Sequence, residues 1–336
     1  MSNYPDDCLT PPKDNELEIT VFGTGYGESI VLYVPGIGWG VVDSCVMETD
    51  KNIKIVPPLA YLMELPTPPE SLSFVILTHP HEDHYMGLNV ILEHFKGHIE
   101  RVCRYAGKGV RELKKYIAHK TVAEGKADDL VKVFRAIDDI GRSNEATLRN
   151  LSEMTNVFDK RNIFIEGYGS TDISMMALSP NANSSDLYSD KLLRAIPEAG
   201  LPVRELDDTS HNLISVALLL RIGNLQIILG SDLETGTDVN KNGWIGVFIN
   251  NDIPNNDIPE LWASLVKVAH HGSKNAFYEF AWDTHSSKKQ PYALICPCYN
   301  GKYRLPSEEE LNKISGYCQK VGLVSTVEFD DKPSRH

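Results

Sequence analysis

Long apolar runs are missing from this 336-residue sequence. Its most apolar stretches, such as residues 74–77 and 214–220, are far shorter than the ~20 residues that a membrane-spanning helix needs. The first residues also lack the basic start and the apolar run of a secretory signal. We therefore expect a protein that has no membrane span and is located in the cytoplasm.

Cysteines are few as well, and basic residues are fewer than acidic ones. The six cysteines are scattered, which excludes a disulfide framework and predicts reduced thiols. Lysine and arginine number 33 against 46 aspartates and glutamates, so the net charge of −13 repels polyanions at long range. The exception is the basic segment, residues 101–120, in which seven basic residues stand against Glu112 alone.

The rest of the composition, with 42% hydrophobic and 24% charged residues, is that of a globular protein. Short apolar or alternating runs predict strands at residues 18–22, 29–34, 38–42, 73–78, 163–166, 173–178, 215–222, 226–229, 265–269, 292–296 and 324–329. Helices are predicted at residues 59–65, 86–94 and 307–320, and helical periodicity between about 108 and 160 predicts a helical insertion. Residues 184–204, with a possible short helix, and 240–259 are predicted to be loops.

The strongest chemical signal is the run from Thr78 to His84, where a buried strand ends and a helix begins. On an extended segment His79 and His81 project to the same side, while Asp83 and His84 can face the same pocket from the following turn. Such converging nitrogen and oxygen donors fit two divalent ions ~3.5–4 Å apart that hold a bridging hydroxide. Zinc is the favoured ion, and manganese, magnesium and iron are the alternatives.

The pattern His-x-His-x-Asp-His in this run resembles the signature of the metallo-β-lactamase fold superfamily. The resemblance implies an α/β fold, the αββα four-layer sandwich, over residues 17–329, with the helical insertion at about 108–160. A polar lead-in over residues 1–16 precedes this domain, and a polar tail over residues 330–336 follows it.

The resemblance also implies the metal ligands. Asp232, at a strand end, matches the carboxylate that bridges both ions, and Asp43 matches the aspartate that supports the metal-binding histidines. The remaining implied ligands are His79 and His81 with a third histidine for one ion, and Asp83 and His84 with a last histidine for the other.

Two of these positions stay open in the sequence. His211 is the histidine in the right stretch for the third ligand, although a surface role, with Asn212 or water as ligand, is the alternative. For the last ligand we favour His270 over His271, and the other histidine is the candidate to contact a substrate oxyanion or to donate a proton. The candidate catalytic residues are Asp83, Asp232 and His271.

Within the superfamily, the chain resembles the metallo-β-lactamase domain of competence-type DNA-internalisation proteins and their stand-alone relatives. The resemblance rests on residues 23–43, 212–232, 267–273 and 300–306. It implies a metal-dependent phosphodiesterase or nuclease with nucleic acid as substrate, and it allows a protein partner or larger assembly. The alternatives are a hydrolase of a carbonyl substrate, such as a lactone, thioester or β-lactam, and a metal-poor interaction module.

The basic segment offers support for nucleic acid that is independent of this resemblance. If residues 110–119 are helical, Arg111 and Lys115 share a face, and Lys114 adds a third cation nearby. These three residues are the candidate nucleic-acid contacts. The alternative interpretation is a solvated helix face without a ligand.

Overall fold

A computed structural model describes residues 9–23, 27–48, 54–105, 107, 109–124, 129–143, 145–196, 206, 210–249, 263–279, 282, 290–300 and 303–324. The first half of the predicted polar lead-in and all of the polar tail lie outside the described residues. Among the described residues, no helix is both long enough and apolar enough to cross a bilayer.

The described strands, in chain order, are β1 (Glu18–Gly23), β2 (Glu28–Val34), β3 (Gly38–Val42), β4 (Met47–Glu48), β5 (Lys54–Ile55), β6 (Phe74–Leu77), β7 (Arg101–Tyr105), β8 (Thr147–Leu151), β9 (Asn156–Ile165), β10 (Gly169–Ala177), β11 (Leu218–Ile222), β12 (Leu225–Leu229), β13 (Leu265–Lys267), β14 (Tyr292–Ile295), β15 (Cys298–Asn300), β16 (Tyr303–Leu305) and β17 (Lys320–Leu323). The described helices are α1 (Pro57–Glu64), α2 (Glu82–Tyr85), α3 (Leu88–His94), α4 (Val110–Glu124), α5 (Asp129–Ser143), α6 (Ala182–Ala195), α7 (Gly243–Ile249) and α8 (Glu308–Ser315).

Two large mixed sheets form the centre of the fold. The first has the order β1-β2-β3-β6-β7-β8, in which β1 to β3 form the predicted antiparallel meander and the remaining neighbours are parallel. The second has the order β17-β14-β13-β12-β11-β10-β9, antiparallel from β9 to β12 and parallel from β12 to β17. Parallel neighbours place their carboxyl ends at one edge of each sheet, and the loops that follow these ends carry the predicted ligands.

The two sheets pack face to face, with helices on their outer sides. Phe74 of the first sheet contacts Phe158 of the second, with ring centroids 5.6 Å apart. Along β11, Leu218 and Leu220 enter the core between the sheets, while Leu219 enters a second core with Trp244 of α7 and residues of α8. This two-residue alternation is that of a strand buried on both faces. The expected α/β fold class with four αββα layers is confirmed.

Several predicted boundaries differ from the structure. The helices of the predicted helical stretch end at Ser143, and β8 and the first half of β9 occupy its last part. Residues 184–204 were expected to be mainly loop, yet α6 is a full helix whose first turn is capped by the Asn181 side chain, which accepts from the Ser184 amide. In the second expected loop, residues 243–249 form α7. The closing strand lies at 320–323, and residues 325–329 lie outside the described residues.

Candidate metal centre

The predicted ligands come together between the two sheets, at the carboxyl ends of neighbouring strands. His79 follows β6, and α2 begins three residues later, so that Asp83 and His84 lie in its single turn. Asp232 follows β12, and His271 follows β13. All five side chains are buried. The parallel order of the strands therefore brings together residues that are almost 200 positions apart in the sequence.

Two groups of donors share one aspartate. The first contains Asp83, His84, Asp232 and His271, and the second contains His79, His81 and Asp232; within each group the ligand atoms lie within 4.8 Å of one another. Asp232 directs Oδ1 to the first group, 3.3 Å from His84 Nε2, and Oδ2 to the second, 3.8 Å from His79 Nε2. A carboxylate with one oxygen in each group has the arrangement of a bridging ligand.

Most of these histidines are oriented by a hydrogen bond at Nδ1, which leaves Nε2 directed into the centre. His84 Nδ1 lies 2.8 Å from Asp43 Oδ2, and His79 Nδ1 lies 3.0 Å from Thr78 Oγ1. Asp43 also accepts from the backbone amide and the hydroxyl of Thr78, at 2.7 and 2.6 Å. Asp43 thus holds the start of the motif and its last histidine at once, as expected for a supporting aspartate.

His81 is the most accessible member of the two groups, with 26% of its side chain exposed. Its Nδ1 lies 2.7 Å from Asp83 Oδ1, and its ring stacks at 5.8 Å from that of His79. The second group is therefore the one that opens toward solvent.

The structure places His271, and not the favoured His270, in the first donor group. Both residues have left-handed backbone angles, with φ of 46° and 56°. His271 turns inward, where its Nδ1 lies 2.9 Å from the Cys296 carbonyl and its Nε2 lies 3.3 Å from Asp83 Oδ2. His270 stays at the edge of the site, 16% exposed, with Nδ1 3.8 Å from Glu234 Oε1. The preference for His270 rested on its position directly after the predicted strand 265–269, but β13 ends at Lys267 and a left-handed turn follows it.

His211 lies close to the second group without joining it. Its ring centroid is 6.3 Å from that of His81, and its Nδ1 is 2.8 Å from the Tyr188 hydroxyl. The next residue, Asn212, is buried and donates to Glu234 Oε1 at 3.1 Å. Among the described residues, His211 is in none of the donor groups, so its role as third histidine remains a prediction.

The residues present fit a pair of divalent cations. Buried polar atoms that have no hydrogen-bond partner among the described residues converge here: His79 Nε2, His84 Nε2, Asp83 Oδ1 and both carboxylate oxygens of Asp232. Buried polar atoms are otherwise almost always paired, so a set without partners indicates a bound group. Imidazole nitrogens and carboxylate oxygens are ligands that zinc accepts.

The electrostatics favour a cation at the same place. Burial opposes the charge of Asp83 and Asp232, but the adjacent His84 holds the pKa of both carboxyl groups well below its usual range. Burial disfavours charge on His84 as well, yet Asp232, Asp83 and Asp43 raise its pKa well above the usual value. Asp83 and Asp232, which face His84 Nε2, thus favour positive charge at that nitrogen, which a divalent ion would supply.

Two charged residues without a predicted role lie behind His271. Lys267, the last residue of β13, is fully buried and forms an ion pair with Glu28 of β2. Glu28 Oε2 also lies 3.9 Å from His271 Nδ1, and Glu28, His271 and Cys296 form a third group of potential donors. The sequence feature that could have indicated this ion pair is the lysine at the end of an apolar strand, because a lysine is rarely buried without a charged partner.

The basic segment separates into buried and exposed cations. Arg104, in β7, is buried and lies 3.5 Å from Asp138 of α5, which also accepts from Lys114 at 2.6 Å. Arg111 and Lys115 are exposed on α4. The three candidate nucleic-acid contacts lie on α4, outside the donor groups, so their role remains a prediction.

The similarity of this chain to known proteins is distant. No curated protein matches the sequence significantly. Among solved structures, Zn(2+)-bound PqqB from Methylobacterium extorquens matches 89% of this chain and 86% of its own, at 9% identity and a TM-score of 0.39. Human tRNase Z, short form, matches 91% of each chain at 11% identity and a TM-score of 0.39. A B3 metallo-beta-lactamase with an active-site glutamic acid matches 69% of this chain and 67% of its own, at 13% identity and a TM-score of 0.30.

The family comparison covers the first sheet and the histidine motif. Residues 23–149 match the family described as Metallo-beta-lactamase superfamily. This stretch contains Asp43 and the motif from His79 to His84, while Asp232 and His271 reach the same site from the second sheet. The similarity to this superfamily is therefore found over residues 23–149, which are less than half of the chain.

Proposed function

We propose that this protein is a metal-dependent phosphodiesterase that acts on nucleic acid. The observation that carries the proposal is the pair of donor groups that share Asp232, one with His79 and His81, the other with Asp83, His84 and His271. Two adjacent groups joined by one carboxylate are the arrangement that hydrolytic two-metal sites require. His211, 6.3 Å from His81 between ring centroids, is the proposed additional ligand on the exposed side.

Divalent ions bound by these residues, with zinc favoured, would make a coordinated water acidic and neutralise the charge that develops on the substrate. The protein orients the side chains that would bind these ions. Asp232 spans both groups with its two oxygens, and Asp43 fixes the His84 ring through Nδ1. Since Asp83 and His271 hold each other at 3.3 Å, neither can turn away from the centre without losing that contact.

His270 takes the substrate-facing role that we assigned to whichever of the two histidines is not a ligand. It is partly exposed at the edge of the site, and its Nδ1 has no hydrogen-bond partner among the described residues. Glu234, 3.8 Å from this nitrogen, is fixed by Asn212. In this position His270 can donate a hydrogen bond to an oxygen of the substrate as negative charge develops on it.

The choice of a phosphodiester rests on two supports. The first is the resemblance to the domain of competence-type DNA-internalisation proteins, which comes from this chain's own motifs. The second is the position of the basic segment, because β7 lies between β6 and β8 and its carboxyl end is next to His79. A protein partner and a cytoplasmic location are part of the same proposal.

The test compares hydrolysis of bis(4-nitrophenyl) phosphate with hydrolysis of 4-nitrophenyl acetate and a chromogenic β-lactam, by protein loaded with zinc or manganese. We expect phosphodiester cleavage, and we expect Asp232→Asn to lower its rate about 100-fold or more, because the bridging carboxylate is lost. Asp139→Asn, at an exposed carboxylate of α5, is the matched control. Cleavage confined to the carbonyl substrates would refute the phosphodiesterase proposal, and a protein that binds no metal would favour an interaction module.

A further inference from the structure

A groove on the outer side of the first sheet is lined by cations. It has a volume of about 760 Å³ and lies between α4 and the carboxyl ends of β7 and β8. Its lining residues are Arg104, Gly107, Val110, Arg111, Lys114, Lys115, Ala118 and Asn150. Among the described residues that line it, four are cationic and none is acidic, in a chain whose net charge is −13. This groove is called the cationic groove below.

Arg104 is a buried cation whose donors are only partly used. Its side chain is 9% exposed, and Nη2 lies 3.5 Å from Asp138 Oδ1. Its Nε and Nη1 atoms are buried and have no hydrogen-bond partner among the described residues. A guanidinium that is nine-tenths buried with two unpaired nitrogens is costly to fold unless an acceptor binds there. Asp138 does not supply that acceptor, because it contacts a third nitrogen and is also bound by Lys114.

The cationic groove is next to the metal centre. In the parallel ladder Arg104 pairs with Leu77 on one side and with Asn150 on the other, and Leu77 ends the strand that leads to His79. Arg104 also lines a small cavity that it shares with His79 and Pro80. A linear substrate with its reacting phosphate at the donor groups could therefore place another phosphate near Arg104.

From these observations we infer that the cationic groove binds phosphate groups of the substrate other than the one that reacts. The inference rests on the proposed phosphodiesterase function and specifies its substrate as a chain with more than one phosphate. Arg104 offers its unpaired nitrogens at the bottom of the groove, which suits the fork-shaped recognition of phosphate oxygens. Arg111 and Lys115, on the exposed face of α4, extend the positive charge toward solvent.

The experiment measures binding separately from hydrolysis. A fluorescent single-stranded oligonucleotide is titrated, by anisotropy, with metal-free protein at several salt concentrations. We expect Arg111→Gln/Lys115→Gln to weaken binding about tenfold or more, and to reduce the slope of log affinity against log salt by about 1.4 units, because two phosphate contacts are lost. The matched control is Lys132→Gln/Arg142→Gln, which removes two exposed cations of α5 that do not line the groove.

A second arm identifies which phosphate binds. The oligonucleotide is used with and without a 5′-phosphate, and inorganic phosphate serves as competitor. If the groove variant binds both oligonucleotides equally more weakly than the wild type, the groove binds backbone phosphates. If its binding is weaker only for the phosphorylated oligonucleotide, the groove binds the terminal phosphate. Both outcomes support phosphate binding in the cationic groove. Arg104→Lys keeps the charge but loses the planar set of guanidinium donors, so it should also weaken binding. Its urea unfolding curve, compared with that of the wild type, checks that the variant is folded.

The inference is overturned if the groove variant and the control variant bind both oligonucleotides with equal affinity and equal salt slope. Failure of the proposed function gives a different result, since the wild-type protein would then leave bis(4-nitrophenyl) phosphate uncleaved whatever the binding data show.

Discussion

Asp43 shows how a residue outside the two groups that share Asp232 can determine their geometry, although it also forms a group of potential donors with His79 and His84. Its carboxylate contacts Thr78 twice and His84 Nδ1 once, all between 2.6 and 2.8 Å. Its own backbone has φ of 58°, a left-handed angle that is uncommon outside glycine. An aspartate held in such a conformation between two segments of a site is typical of a residue retained for its side-chain contacts.

We therefore predict that Asp43→Asn lowers metal affinity about 10- to 100-fold, because the amide accepts more weakly from His84 and cannot satisfy the same three donors. Competition with a zinc-binding dye measures the affinity. Asp139→Asn is the control at an exposed carboxylate. An unchanged affinity in Asp43→Asn would show that His84 is oriented by other contacts.

The ion pair between Glu28 and Lys267 allows a second prediction at the same scale. Both side chains are buried, so either single change, Glu28→Gln or Lys267→Met, leaves a charge without its partner. Each is expected to lower the free energy of unfolding by about 3–5 kcal/mol, and the double variant should recover part of that loss. Urea unfolding of all four proteins measures the coupling, and losses that simply add would contradict it.

The same pair has a defined pH dependence. Burial alone would lower the pKa of Lys267, but Glu28 outweighs it, so the pKa in the folded protein is raised. A raised lysine pKa stabilises the fold below the unfolded value of about 10.4, and this contribution is lost as the pH rises through the folded pKa. The stability of the double variant should therefore fall less steeply than that of the wild type above about pH 10.

At the residue scale, the sequence predicts most of the side chains that the fold brings together in the two donor groups. The motif from His79 to His84 and the strand-end Asp232 are sufficient because adjacent parallel strands end at one edge. The choice between His270 and His271 depends on two left-handed residues after β13, which the pattern of apolar residues does not encode. The unpaired nitrogens of Arg104 could not be predicted from the sequence either, since they depend on where Asp138 of α5 packs.

At the scale of elements, the loops after β12 and β13 must approach closely for Asp232 and His271 to meet. Gly230, at the end of β12, allows this approach, because a Cβ there would lie 2.8 Å from the backbone nitrogen of Ala269. We predict that Gly230→Ala lowers stability by about 1–3 kcal/mol and also lowers metal affinity, since it forces the two loops apart. Thermal unfolding and zinc titration measure the two effects.

Gly141→Ala in α5 is the matched control for this prediction. Its Cβ would meet only the flexible Leu148 side chain, at 3.1 Å, and alanine favours a helix over glycine by about 1 kcal/mol. Metal affinity should be unchanged in this control. If Gly230→Ala lost stability but kept full zinc affinity, the close approach of the loops would matter for folding alone.

Elements that bury one face or two were predictable, whereas the polar helix α6 was not. The meander of β1 to β3 and the pair β11 and β12 follow from apolar runs and turn glycines. The helix predicted from residue 307 is also present as α8, and a capping box of Ser307 and Glu310 marks its start. For the segment of α6 the sequence predicts a loop with a possible short helix, because this segment is polar and serine-rich. Its start depends on the Asn181 cap and its burial on contact with α4, and neither gives a strong periodic signal.

At the scale of the whole molecule, the negative charge and the metal centre are connected. Asp43, Asp83 and Asp232 are buried together in a chain whose net charge is already −13. The folded state therefore holds carboxylates that need cations nearby, whereas the unfolded chain exposes them to water. Binding of divalent ions to the folded state must then increase stability by mass action.

We predict that the zinc- or manganese-loaded protein contains about two ions per chain, measured by plasma mass spectrometry after dialysis. Each site is expected to add about 2.7 kcal/mol to the free energy of unfolding at an ion concentration 100 times its dissociation constant, so calorimetry should show a rising midpoint temperature during titration. Asp83→Ala/His84→Ala removes two of the four donors of the first group, while Asp232, His79 and His81 remain. This variant should retain about one ion or fewer, and its midpoint should rise correspondingly less with added metal. Two ions retained with the full thermal shift would show that the first group is not a metal site and that the ligands lie elsewhere.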